Sequence, residues 1–492
     1  MRSVSGKLVL CLLGWLVLGC LCYGNAGGPQ EPKQQADAKA VDEDPNSVAK
    51  IGDCVITKEE LGRRLMSELH PNPYGTAGQA EPVTAETVLK TMLAERAMVM
   101  EGRKQDFLKD EIIRRSVGEY KDRRLVNLLL GRYLESRQGQ FEVSDSEIEQ
   151  KLQTDPKLDR VRAKAMIQRT KVNKLLDEYY SGLYNKLNVQ RVSANFAKAA
   201  EIHQRLLYRP QKPRTVGWIQ NSQVRDELTP EERNIVLATY KNGKVTLEDW
   251  LNALCDIVPP GRPRDLDTPQ GVGRLLDQAI RMPIFVSEAE SLGLDKDAAL
   301  IKQVIEYEDR FLLGKVQQAK YEEVAEPNEE QIVAYFNENK EAFGTPRRVK
   351  IDQIWCQDHK VALDVKAELD KGRDFESVKQ EFSLQKNPPH DTYPSGEGMF
   401  FQDLWQGDPN QIVGPVKGFY PDGVKWRIVK ILEKKPAELK EYSADMKDQV
   451  KGRLMDAKRN ALLADYRKEL LSKYSYEIHA DKIKDIDPLD IP

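Results

Sequence analysis

The sequence predicts a mainly α chain that carries one small α+β domain toward its C-terminal end. Long stretches rich in Ala, Leu, Glu, Lys, Arg and Gln favour helix. Strand-forming patches are short, and two of them repeat a pattern: VAKIGDCVITKEEL (48–61) and LATYKNGKVTLEDW (237–250) each read as strand, tight turn, second strand and immediate helix start. Only residues 348–436 alternate several strand-like and helical segments in close succession.

Taken in order, the chain begins with Arg2 and Lys7 ahead of the apolar run LVLCLLGWLVLG (8–19), which predicts a signal peptide over 1–23. The junction VLGC (17–20) looks like a bacterial lipobox that would make Cys20 the lipidated first residue. Cleavage after Ala26, with small residues Gly24 and Ala26 at the specificity positions, is the alternative; an uncleaved anchor is a third reading. Residues 24–46 are polar and rich in Gly, Pro and Gln, with Val41 the single aliphatic larger than alanine. Such a segment reads as a tether with a reach of roughly 25 Å. An exported, membrane-tethered body at the periplasmic or cell-envelope side is the expected location.

Of the six cysteines, Cys54, Cys255 and Cys356 lie in the body, an odd and scattered set that is no disulfide framework. At 492 residues, 31% charged and formal net charge −3, the chain suits about three domains and carries no field of one sign, which argues against nucleic acid as a partner. No phosphate-cradling loop, metal-ligand cluster or nucleophile motif occurs, so no cofactor or metal is expected.

The two repeated openings define helical modules at 47–190 and 236–343, joined by a connecting segment at 191–235. Thr57 with Glu60 and Thr246 with Asp249 have capping-box spacing, which fixes the corner from strand to helix. Asn242-Gly243 is a strong hairpin signal. Ser144 and Asn328 are further helix caps. Residues 437–480 predict a long helix, with Met446, Val450, Leu454, Ala457 and Ala461 on one face, followed by a short strand; 481–492 read as a tail.

Within 344–436 the landmarks are an apolar strand (Val349, Ile351, Ile354), the helix entry GRDFESVKQEFS (372–383), the turn SGEGMFF (395–401), then GPV (414–416) and the closing strand WRIVKI (426–431). In that order they resemble the parvulin-type prolyl isomerase family, with a small FKBP-like α+β fold. The resemblance implies isomerisation of X-Pro bonds. That reaction crosses a barrier of roughly 20 kcal/mol set by amide resonance and needs a pocket that favours the twisted amide. The family's polar positions fall here at Gln353, Arg427 and Gln385, and none of them keeps the family's histidine, acid or thiol. Its apolar proline seat would fall to Phe400, Phe401, Leu404 and Trp405, which equally read as core. Gln353, Arg427 and Glu397 read most simply as polar residues at a solvated sheet edge. His359 and His390 lie off the family positions and are assigned no role.

The repeated opening, the phrase YFNENKEAF (335–343) before the parvulin-like segment and the helix and strand after it resemble SurA and PrsA type exported folding factors. This implies helical chaperone modules that bind unfolded or proline-containing exported polypeptides, with the helix and strand of 437–480 returning to complete the second module and the parvulin-type domain inserted within it. An active isomerase with an altered polar set and a non-enzymatic envelope scaffold lipoprotein are the alternatives.

Overall fold

The computed structural model describes residues 45–70, 83–208 and 218–484, with Ile486 and Leu489. The expected signal peptide, Cys20, nearly all of the tether and half of the tail lie outside the described residues. Among these residues no helix is long and apolar enough to cross a membrane. The described chain is mainly helical, with three small antiparallel sheets, and it divides into two compact units.

The first unit spans 109–308. Its sheet has the order β3 (Gln190–Arg191), β4 (Val236–Tyr240), β5 (Gly243–Thr246). Helices Glu111–Glu135, Arg160–Lys186, Phe196–Leu207, Leu247–Cys255, Pro269–Ala279 and Arg281–Ser291 surround it. Trp250, Leu237, Val245, Val172, Leu176 and Leu183 share one core with it. Gly243 opens β5 because Tyr240 lies across it: an added Cβ would sit 2.2 Å from that ring. The two-residue loop is Lys241-Asn242, and Asn242 takes the left-handed conformation at φ 72°.

The second unit joins 45–108 to 309–484. Its hairpin, β1 (Ser47–Ile51) and β2 (Cys54–Thr57), leads into helix Lys58–Leu69 through the Thr57 capping box, as Thr246 does for Leu247–Cys255. The third strand of this sheet is β10 (Tyr476–Ile478), which pairs antiparallel with β1. Helix Ala85–Lys104 and the long helix Lys447–Lys473 close over the hairpin, with Leu89, Leu93, Met98, Leu463, Tyr466 and Leu470 in a common core.

Three expectations are corrected here. The closing helix and strand complete the first hairpin, not the second. Helices between 111 and 186 belong with the second hairpin, while 309–343 belongs with the first, so neither module keeps its expected boundaries. The physical reason lies in which apolar faces match: Leu463, Tyr466 and Leu470 fill the core of Val48, Ile51 and Ile56, and Val172, Leu176 and Leu183 fill that of Leu237 and Val245. The third correction concerns the face of the closing helix, where Ala457 and Ala461 are exposed. Its first half buries Val450 and Leu454 against Ile332, Phe336 and Phe343. At about 100° per residue, Leu463, Tyr466 and Leu470 project roughly from the opposite side, so the helix serves two cores.

The α+β domain within this unit has a four-stranded antiparallel sheet in the order β7 (His390–Thr392), β6 (Arg348–Cys356), β9 (Gly423–Lys435), β8 (Ile412–Tyr420). Helices His359–Asp370 and Phe375–Phe382 pack on one face, burying Ile354, Cys356, Ala362, Val365, Val378 and Ile428. Burial pushes the Cys356 thiol up to about 11, so it is an inert packing group.

Candidate functional site

The period of two along a strand sends Val349, Ile351, Gln353 and Trp355 of β6 to the face away from those helices. Pairing in β9 places Ile431, Val429 and Arg427 opposite Ile351, Gln353 and Trp355. One end of this face is an apolar core in which Phe401 and Leu404, on the six-residue helix Phe401–Gln406, cover Val349, Ile351, Val429 and Ile431. The other end is polar and is where the expected site lies.

Arg427 sits on an interior strand and is only 2% exposed, so its guanidinium requires partners inside the protein. Glu397 supplies them: Arg427 Nη2 donates to Glu397 Oε2 at 2.5 Å and Nη1 to Oε1 at 3.3 Å. Nη1 also donates to Gln353 Oε1 at 3.0 Å, and Thr392 Oγ1 donates to Glu397 Oε1 at 2.7 Å. Burial pushes the Glu397 carboxyl up, but the Arg427 charge, its hydrogen bonds and Thr392 outweigh that and hold it below its usual value. The Trp355 ring lies 5.1 Å from the guanidinium carbon. Across from it on β8, a Cβ at Gly418 would come within 2.6 Å of Arg427 Nε and 2.7 Å of Trp355, so glycine makes room for both. Arg427 Nε has no hydrogen-bond partner. Phe400 and Phe419 (5.2 Å) and Trp355 and Tyr420 (5.2 Å) wall the cluster with rings.

The structure thus joins Gln353 with Arg427 and adds Glu397, and the expected solvated edge is corrected: β9 is flanked by strands on both sides, and Arg427 and Glu397 are buried. A charged residue on the inward register of an apolar strand is a signal that a buried counter-ion exists, although it does not name Glu397. Gln385 stays apart. Its Oε1 accepts from Asn387 Nδ2 at 3.1 Å and its carbonyl accepts from Ser383 Oγ at 2.5 Å, while Ser383 Oγ accepts from the Trp355 amide, pinning this loop to β6.

The proline seat is also corrected. Phe401 and Leu404 are core, 3% and 0% exposed, and closed to any client in this conformation. Phe400 is buried against Phe419. Trp405 is half-buried, with Arg347 at 5.3 Å and Lys434 at 5.6 Å from its ring. On the opposite face Lys379 and Asp352 form a second buried ion pair at 2.5 Å, with the Asn387 carbonyl as a further acceptor. Among the described residues no group of His, Cys, Asp and Glu could hold a metal ion.

Residues 327–448 match the family model described as the PPIC-type PPIase domain. This part of the chain is a parvulin-type domain. No curated protein sequence matches the chain. Among solved structures, one from the pair of SurA-like chaperones PEB4 and Cj1289 of Campylobacter jejuni is 17% identical over 47% of this chain and 92% of its own, with a TM-score of 0.22. PrsA of Bacillus subtilis is 20% identical over 40% of this chain and 76% of its own, TM-score 0.16. The foldase protein PrsA of Streptococcus pneumoniae is 17% identical over 38% and 72%, TM-score 0.24.

Proposed function

We propose that this chain is an exported folding factor that holds unfolded polypeptides, and that its parvulin-type domain acts as a packed structural or binding module with little or no isomerase activity. The observation that carries the reading is the buried Arg427–Glu397 pair with Gln353. Stabilising a twisted X-Pro amide needs polar groups free to face it and an apolar seat for the ring. Here both terminal nitrogens of the guanidinium already donate within the protein, and two of the four seat residues are core. Opening the pair for a substrate leaves a buried charge uncompensated, which costs about 3–5 kcal/mol. That penalty falls on the bound state that catalysis must favour. The basic and apolar start of the chain supports export, with Cys20 as the lipid attachment point and a client pool of unfolded, proline-containing exported polypeptides.

Two assays on the intact chain test the reading. A proline-peptide isomerisation assay should run at the uncatalysed rate of tens of seconds, while the same protein delays aggregation of an unfolded client. Robust isomerisation abolished by Gln353→Ala or Arg427→Ala would instead make these residues an altered catalytic set. Glu397→Ala should lower the melting temperature of this domain without creating activity.

A further inference from the structure

The first unit contains a groove that the parvulin-type domain does not share, a depression of about 410 Å³ lined by residues of helices Glu111–Glu135, Arg160–Lys186 and Arg281–Ser291 and by Arg137 beyond the first of them. Tyr133 and Tyr179 stack along one wall, ring centroids 4.0 Å apart and 11° from parallel. The Arg137 guanidinium carbon lies 4.0 Å from the Tyr133 ring centre, which holds its planar fork in one orientation. Its hydrogen bonds go to Ser136 Oγ at 2.9 Å and the Tyr133 carbonyl at 3.5 Å, and neither acceptor carries charge. The other charges on the lining are neutralised locally: Lys186 donates to both oxygens of the buried Glu288 at 2.8 and 2.6 Å, and Glu178 faces Lys174 at 3.9 Å. Among the described residues, Arg137 is therefore the one lining charge whose contacts include no carboxylate.

The dimensions suit a short stretch of extended chain. From Glu178 to Lys186 the helix advances about 12 Å at 1.5 Å per residue, the length of roughly three to four extended residues at about 3.3 Å each. At Gly182, midway along, an added Cβ would meet no atom within 4 Å, so the groove has room for a side chain there.

We infer that this groove binds an extended polypeptide segment that carries a carboxylate beside an apolar side chain. The carboxylate pairs with the Arg137 fork, and the apolar group lies over Gly182 against Tyr179. The inference deepens the chaperone reading and rests on it, because it gives the helical unit a client class of its own.

Fluorescence anisotropy with the full chain tests it, using dye-labelled Gly-Glu-Leu-Phe-Glu-Gly and the same peptide with Gln in place of Glu. The acidic peptide should bind about tenfold more tightly than its neutral counterpart, the scale of one charge-assisted bidentate contact. Arg137→Gln should abolish that preference, and Gly182→Leu should weaken both peptides by filling the groove. Lys198→Gln, on helix Phe196–Leu207 outside the lining, should change neither. Equal binding of the two peptides, no binding of either, or a preference that survives Arg137→Gln would overturn the inference. If Arg137→Gln disturbs the helix end it caps, Gly182→Leu still decides, since nothing packs where its side chain would go. Aggregation suppression by the unaltered protein is read separately and bears only on the chaperone reading.

Discussion

In the sheet of β10, β1 and β2 the outer strand comes from the far end of the chain, whereas in the sheet of β3, β4 and β5 it comes from just before the hairpin. The two hairpins are otherwise built alike. Ser47 faces Thr57 as Val236 faces Thr246, each pair is followed by a register shift, and Ile51 meets Cys54 as Tyr240 meets Gly243. Each ends in a threonine whose hydroxyl accepts from the backbone of an acid three residues on. In each, a helix of 27 residues delivers the third strand to the same edge.

The difference shows that the hairpin is local information while its closure is not. Closing β1 with β10 spans a loop roughly ninefold longer than closing β4 with β3, and the logarithmic loop law sets that penalty at only about 2 kcal/mol. Burying one Leu is worth about 1.5–3 kcal/mol, and the long closure buries Leu463, Tyr466 and Leu470 together. Matching of apolar faces therefore outweighs proximity in the chain.

The strongest way to break the comparison is truncation after Pro436, which removes β10 and the helix over the first hairpin. Hydrogen exchange should show loss of protection throughout 47–104, while 109–308, which contains its own third strand, keeps its protection. Protection retained at Leu89 and Leu93 after truncation would mean the distant closure is dispensable. A finer test compares one leucine in each closing helix: Leu470→Ala and Leu183→Ala, 1% and 3% exposed, should each cost about 2–5 kcal/mol. Chemical denaturation with unit-specific probes should report the first loss only in the second unit and the second only in the first.

Acid should also separate the units. Burial pushes the imidazole of His203 down to about 4; Asp267 opposes this with a smaller upward effect, and Arg262 adds a smaller downward one. Its folded value lies below the ordinary value near 6.5, so stability is complete above about pH 6.5 and is lost as pH falls toward 4, by about 3 kcal/mol. His203→Phe, which keeps a ring beside Trp250 (6.0 Å), should flatten that part of the pH profile for 109–308 alone. The smallest effect falls on the shared caps. Thr57→Ala and Thr246→Ala should each cost about 1 kcal/mol, and near-equal values would mark the two corners as energetically equivalent.

How much of this was legible beforehand depends on the range of the information. Both hairpins, their capping boxes and the order of elements in the parvulin-type domain were readable, because turns, caps and strand alternation are written within a few residues. The partner of Arg427 was not readable: Glu397 is thirty positions away, and nothing local says that it is buried. Phe401 and Leu404 could have been seat or core, since both roles ask for large apolar side chains, and only packing against Val349 and Ile431 decided.

The sequence by itself determined the local units: two equivalent hairpin corners and a parvulin-type strand and helix order. Only the tertiary structure decided which helix and strand close each hairpin, where the closing helix changes the side it buries, and that Arg427 is held by Glu397 in a buried ion pair. Short-range geometry is encoded by neighbours a few residues apart, whereas these choices depend on which apolar and charged surfaces meet after the chain has folded back over hundreds of residues.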